Sequence, residues 1–473
     1  MILGQRTFSM EDQQEFATAS GDLNPMHLDA LKARRTQAGE PVVHGIHILL
    51  WVLDAFAANQ REIAPVRSLR AHFDRFLYLE EQVTIILTDK SERRARFQVR
   101  VGNVTRLRLT LDFGDPHGGT VDWNTDSMAE IPFSSVPMDQ TFSKTGEMTG
   151  RIAFRMTDPE SRFPSATAWL GSERIAVLAA TTHLVGMICP GLHSIYSELS
   201  LQVCTEPAAS PGLSFRVADA DERFRSVQID IAGADLVGSL ETTARTPPVE
   251  QAGVAHLTEL VEPGEFSGAT ALIVGGSRGL GELTAKLIAL GGGNVIITWH
   301  SGKADAERVA AEIEQAGGLC DILQYDARKP ATEQLAPLNP VPTHVYFYAT
   351  PTIFKAASAF FSAQRFKEFL QIYIDGFIDL LNAVRERQSA LSAFYPSSVA
   401  VGDRPQGMTE YSMAKAAGEV LCSDINTSLA PARVTVERLP RLLTDQTATV
   451  TGAETASAVD VMLPIIRRVQ AKA

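Results

Sequence analysis

Residues 21–29 read GDLNPMHLD, and the fold of the N-terminal half turns on how this stretch is read. It sets Asp22 and His27 five positions apart around an Asn24-Pro25 pair. Five is a poor spacing for one helical face and the wrong parity for one face of a strand. Pro25 disfavours the α region for Asn24, so the pattern predicts a bent loop opening onto a helix. Taken alone, the plain reading is a turn or N-cap aspartate beside an incidental surface histidine.

The neighbourhood adds more. A helical start precedes the loop, and a long apolar helix follows near 43–58 (VHGIHILLWVLDAFAA). Alternating segments then predict strands: SLRAHFDRF, QVTIILTD, RARFQVRVGN and RLRLTLDF. Residues 150–245 repeat this order, with the buried helix SERIAVLAATTHLVGM followed by HSIYSELSLQV, LSFRVADA, FRSVQIDIAG and VGSLETTA. Two copies of one helix-plus-antiparallel-sheet unit are expected. The second copy has RFPSATAWLGSE where the first has the Asp/His loop, so acid/base chemistry is expected only in the first.

SGDLNPMHLD followed by PVVHGIHILL resembles the MaoC-like (R)-specific enoyl-thioester hydratases and dehydratases of the hotdog fold. Their signature is Asp-x-Asn-Pro-x-His, then a His-Gly pair heading the central helix. Here these are Asp22, Asn24, Pro25 and His27, then His44 and Gly45. The resemblance implies acid/base roles for Asp22 and His27, an orienting role for Asn24, and a backbone N–H from Gly45 for the thioester oxygen. Moving water onto or off C2 and C3 of an acyl thioester needs two proton transfers, each worth about 10²–10⁴-fold. A helix N-terminus suits the developing oxyanion. His47 and His72 read as core or tunnel-lining residues. The second copy resembles the inactive half of a double hotdog, completing the sheet and an acyl tunnel, with His183 and His193 structural.

Composition shifts at RTPPVEQAG (245–253), and a weaker break lies at DPHGGTVDWNTDS (115–127). The expected domains are 1–120 (hotdog), 121–248 (degenerate hotdog), a linker over 249–267, and 268–473. In the last, ALIVGGSRGLG (271–281) is an apolar strand ending in a glycine-rich turn before a helix, the pattern of a dinucleotide-phosphate cradle. Gly275, Ser277, Arg278, Gly279, Leu280 and Gly281 are its residues. No Asp or Glu occurs between Leu283 and Ala304, where an NAD-selective site wants an acid, whereas Arg278, His300, Ser301 and Lys303 are available. NADP(H) is expected over NAD(H).

Ser398 precedes Tyr411 by thirteen residues, and Lys415 follows it by four. With VGGSRGLG this resembles the short-chain dehydrogenases/reductases. The resemblance implies that Tyr411 donates a proton to a ketone oxygen that Ser398 steadies. Lys415 lowers the phenol's pKa and holds the nicotinamide ribose, while Asp326 contacts adenine and Ala349 lies at the cofactor. There are departures. The family's Asn-Asn-Ala-Gly turn reads FYAT (347–350), its helical Asn aligns with Tyr373, its Pro-Gly reads Pro440-Arg441, and the segment after that is short for a lid and last strand.

The expected architecture is an α+β double hotdog followed by an α/β Rossmann-type doubly wound parallel sheet. The expected function is a bifunctional 3-oxoacyl-thioester reductase and (R)-3-hydroxyacyl-thioester dehydratase, taking its acyl-CoA or acyl-carrier-protein thioester from elsewhere. Alternatives are a hydratase whose second half is a scaffold or reduces an unrelated ketone, and a non-catalytic carrier- or nucleotide-binding protein. With 43 basic against 55 acidic residues the net charge is −12, which argues against nucleic acid as a partner. Four scattered cysteines and no apolar leader fit a reduced cytoplasmic protein, with no metal site and a possible homodimer. The longest apolar run, 174–192, is broken by Thr181, Thr182, His183 and Pro190 and reads as a buried helix rather than a membrane span.

Overall fold

The computed structural model describes residues 1–116, 125, 128–205, 211–353, 360–445, 447 and 455–471. Two compact units emerge, one built on Met1–Pro247 and one beginning at Pro248. The weaker break at 115–127, with the 120/121 boundary, falls largely outside the described residues.

The first unit is one antiparallel sheet. Its strands are β1 (Ile2–Arg6), β2 (Val66–Phe73), β3 (Val83–Lys90), β4 (Arg94–Val101), β5 (Val104–Phe113), β6 (Thr149–Ile152), β7 (Ser194–Val203), β8 (Leu213–Asp221), β9 (Ser226–Gly233) and β10 (Leu236–Ala244). Their order is β1-β3-β4-β5-β2-β7-β10-β9-β8-β6. Counted outward from the centre, β2, β5, β4, β3, β1 matches β7, β10, β9, β8, β6, the same hotdog-like unit twice. The halves join where β2 pairs antiparallel with β7, from Ser68↔Gln202 to His72↔Glu198.

Each half carries a long helix, Gly45–Ala58 in one and Ser172–His183 in the other. The first is apolar nearly all round, so it is buried rather than half-exposed. Ile46, Leu49, Leu50, Leu53 and Phe56 are within 1% of full burial, each contributing about 1.5–3 kcal/mol. They share one core with Leu107, Leu109 and Leu111 of β5 and with Ile175, Val177, Ile229 and Ile231 of the second half.

The helical start expected before the loop is present, preceded by a strand, β1. It lacks alternation, and it pairs only at the sheet edge, with β3. The helix comes after it, Met10–Ser20, closed in front by a Ser9/Asp12 capping box and behind by Gly21 at φ +83°.

The second unit is a parallel sheet of β11 (Thr270–Val274), β12 (Asn294–Trp299), β13 (Leu319–Gln324), β14 (His344–Phe347), β15 (Ser392–Ser398) and β16 (Arg433–Leu439). The order is β13-β12-β11-β14-β15-β16, with the direction of winding reversing between β11 and β14, where doubly wound sheets place their ligands. After β16 the described residues hold one helix, Ala458–Gln470, and no further strand. Residues 249–267 are a correction to the linker expected there. Leu257, Val261 and Phe266 are buried with Leu287 and Ile288 in the second unit's core, and Val254 N–H donates to Glu312 at 3.0 Å. No described helix is long and apolar enough to cross a membrane.

Candidate active sites

Asn24 has ψ 125°, outside the α region, as Pro25 requires, and its side chain caps the short helix Pro25–Leu28 by accepting from Met26 N–H at 3.0 Å. That turn swings His27 back beside Asp22. Ligand atoms of Asp22, His27 and His44 all lie within 4.8 Å of one another. Asp22 and Asn24 are buried, and His44 is fully so. The bland reading of a surface turn is thereby removed.

His27 Nδ1 donates to the Val42 main-chain oxygen at 2.8 Å, which leaves Nε2 as the free nitrogen. Burial holds its pKa below the ordinary value, with the Asp22 charge opposing, so the imidazole is neutral near pH 7. The His27 and His44 rings stack at 3.7 Å and 24°.

The His-Gly signature names His44 but gives it no role of its own. Its Nδ1 donates to Gln13 Oε1 at 2.9 Å, its main-chain N–H reaches the same oxygen at 3.1 Å, and its Nε2 lies 3.9 Å from Asp22 Oδ2. The His-Gly pair was the available signal; nothing local marked Gln13. Gly45 opens the central helix, where the first N–H groups have no intrahelical acceptor. A Cβ there would stand 2.7 Å from the Phe73 ring, so close packing also demands glycine. His47 stacks on Phe16 at 4.4 Å and burial pushes it down to about 3. His72 lies apart, 3.1 Å from Glu198 across the central strands.

In the second unit, Tyr411 and Lys415 sit on one face of the helix Thr409–Ser428, and Ser398 ends β15. Burial raises the Tyr411 pKa, opposed by a hydrogen bond from Ser398. Lys415 Nζ donates to the Pro396 main-chain oxygen at 2.7 Å and lies 3.8 Å above the Tyr373 ring. Burial pulls it down to about 7. Tyr373, at the position the resemblance gives to Asn, bonds to Thr350 at 2.5 Å.

The glycine-rich turn fits a dinucleotide phosphate. Gly275 has φ +82° and abuts Ala349, and a Cβ on Gly281 would come within 2.2 Å of the Gly275 oxygen, so the helix Gly279–Leu290 starts hard against the turn. Ser277 is buried beside it, and Leu280 is partly buried. Arg278 departs from its expected role as a free cation, since its Nη1 pairs with Asp445 at 3.0 Å. Asp326 is bound by Arg328 at 2.9 and 3.1 Å, and the same guanidinium donates to His300 Nε2 at 2.9 Å. Ser301 and Lys303 are exposed, with Lys303 turned to Glu307 at 3.0 Å.

The two units thus pair a hotdog-like antiparallel sheet with a Rossmann-type parallel sheet. Residues 4–110 match the family model of the MaoC like domain, and residues 269–454 match that of short chain dehydrogenase. The chain carries a MaoC-like domain toward its N-terminus and a short-chain dehydrogenase domain toward its C-terminus. Similar solved structures include a 3-oxoacyl (acyl-carrier-protein) reductase from Agrobacterium tumefaciens C58 with NADP bound, at 22% identity over 38% of this chain and 73% of that one, TM-score 0.36. Another is a short chain dehydrogenase from Burkholderia cenocepacia J2315 in complex with NADP, at 22% over 43% and 91%, TM-score 0.39. A third, from Sphingobium yanoikuyae in complex with NADPH, matches at 21% over 42% and 85%, TM-score 0.38. No curated protein matches.

Proposed function

We propose that the chain is a bifunctional enzyme, a 3-oxoacyl-thioester reductase using NADPH and an (R)-3-hydroxyacyl-thioester dehydratase or enoyl hydratase. The observation carrying this reading is the buried meeting of Asp22 with neutral His27 in a chain that also aligns Ser398, Tyr411 and Lys415. In the first unit, Asp22 and His27 share the proton transfers at C2 and at the C3 oxygen, and the Gly45 N–H receives charge developing on the thioester oxygen. In the second, Tyr411 gives its proton to the ketone oxygen, Ser398 orients that oxygen, and Lys415 supplies positive charge beneath both. Gly275, Ser277, Gly279, Leu280, Gly281 and Ala349 would hold the dinucleotide, with His300, Ser301, Lys303 and Asp326 on its adenosine side. When bound, NADPH supplies the hydride. The substrate is an acyl chain on CoA or a carrier protein, and reduction hands dehydration its hydroxyl.

The test is mass spectrometry of an acetoacetyl thioester incubated with NADPH. The wild type is expected to form 3-hydroxy and 2-enoyl products, Asp22→Asn to stop at the 3-hydroxy species, and Tyr411→Phe to leave the 3-oxo substrate. Absence of both products with CoA and carrier-protein forms overturns the proposal. A second reading, dehydration alone with the reductase unit as a scaffold, draws on the Tyr373 ring above Lys415. It expects Tyr411→Phe to change nothing.

A further inference from the structure

The second hotdog copy carries no Asp/His loop, yet its helix ends against Asp22. Thr182, itself buried, donates from Oγ1 to Asp22 Oδ2 at 2.7 Å. Asp22 Oδ1 accepts the Asn24 N–H at 3.2 Å, and a Cβ on Gly186 would fall 2.2 Å from that oxygen. Only glycine leaves room for the carboxylate.

The same turn explains why Asn24 is needed. Beyond His183 the helix widens into a π-turn, Leu184–Ile188, a form found often at functional sites. The residue four beyond Gly186 is Pro190, which has no N–H to give. The N–H five beyond, that of Gly191, goes to the Val185 oxygen at 3.0 Å, so the Gly186 carbonyl is left to Asn24 Nδ2, which donates to it at 2.8 Å, with Gly191 O at 3.3 Å and Leu192 O at 3.4 Å. His183 Nδ1 also donates to the Gly21 oxygen at 2.7 Å. The loop bearing Asp22 and His27 is therefore pinned at Gly21, Asp22 and Asn24 by one helix end of the other copy.

We infer that Thr182 and Gly186 are positioning residues of the acid/base site, so that the degenerate copy holds the Asp22 carboxylate in its working orientation. This rests on the reading of Asp22 as the acid/base group. A hydrogen bond to a buried charged group fixes which oxygen faces the substrate, and geometry lost there is felt in kcat rather than in substrate binding.

The experiment is hydration of crotonyl-CoA and of a longer 2-enoyl-CoA by the full chain, with Asp22→Asn, Thr182→Val, Thr182→Ser and Gly186→Ala. Thr182→Val keeps the shape and is expected to lower kcat about 10- to 100-fold with KM within about threefold, while Thr182→Ser, which keeps the donor, stays within about fivefold of wild type. Gly186→Ala is expected to lose activity at least as fully as Thr182→Val, with the melting temperature reporting whether it folds. If Thr182→Val keeps wild-type kcat, or if Thr182→Ser falls with it, the inference is overturned. If Asp22→Asn keeps full activity, or if the wild type hydrates neither thioester, the underlying reading fails instead.

Discussion

Asp22 and Lys415 are both ionisable groups taken out of water, and their surroundings treat them in opposite ways. Asp22 accepts the Thr182 hydroxyl and the Asn24 N–H, with His27 and His44 alongside, so its charge is met by donors. His44 is held through both ring nitrogens, at Gln13 and at the Asp22 main-chain oxygen, and His27 keeps its Nε2. Lys415 is met by one main-chain oxygen and by the rings of Tyr373 and Tyr395, with no carboxylate partner among the described residues, and burial pulls it down to about 7. At Lys415 the ring of Tyr373 stands where the short-chain dehydrogenase pattern has a polar Asn, 3.8 Å from the ammonium.

The contrast can be broken first at its strong end. Asp22→Asn and His27→Ala are each expected to lower hydration at least about 10²–10⁴-fold while leaving ketone reduction intact. Loss of both activities together in a spectrophotometric assay would refute independent centres. A smaller effect of opposite sign is expected from Tyr373→Asn, which removes the ring above Lys415 and should raise kcat/KM for ketone reduction about tenfold. An unchanged or lower value would show that the ring is no restraint.

Lys415 also sets a pH limb. Its ammonium is present below about 7 and lost above it, so kcat/KM for reduction, which reports the free enzyme, should decline as pH rises through that value. Lys415→Arg should remove the limb, and a flat wild-type profile would contradict the assignment. The smallest effect is on stability. Burial holds His27, His44, His47 and His183 below their ordinary values, so below about pH 6.5 the unfolded chain binds protons that the folded unit refuses. The protection factor of the helix Gly45–Ala58, the exchange rate taken relative to the slower intrinsic rate at low pH, should fall from pH 7 to pH 5, and equal protection at both would disprove it.

Much of this was legible along the chain. Period-two alternation located β2 to β5 and β7 to β10 within a few residues, and the motifs placed Asp22, His27, Tyr411 and Lys415. What stayed hidden depended on contacts across long separations. Gln13 is marked by nothing around it, and Thr182 lies 160 residues from the carboxylate it serves. Arg278 matched a motif, but its ion pair with Asp445 is set by tertiary folding. The segment 249–267 reads as a linker because only three of its apolar residues, Leu257, Val261 and Phe266, reach the core.

The seam at β2 and β7 has a consequence for how such a site can change. Two identical chains meeting about a two-fold axis must use the same residue on both sides, so any side chain useful to one catalytic pocket is imposed on the other. Covalent continuity through this ten-stranded sheet lifts that obligation. One half is at liberty to keep Asp22 and His27, while the other replaces them and specialises as the wall against which they are aligned. The price of the arrangement is multiplicity, since a pair of identical chains has two Asp/His loops where this sheet carries one.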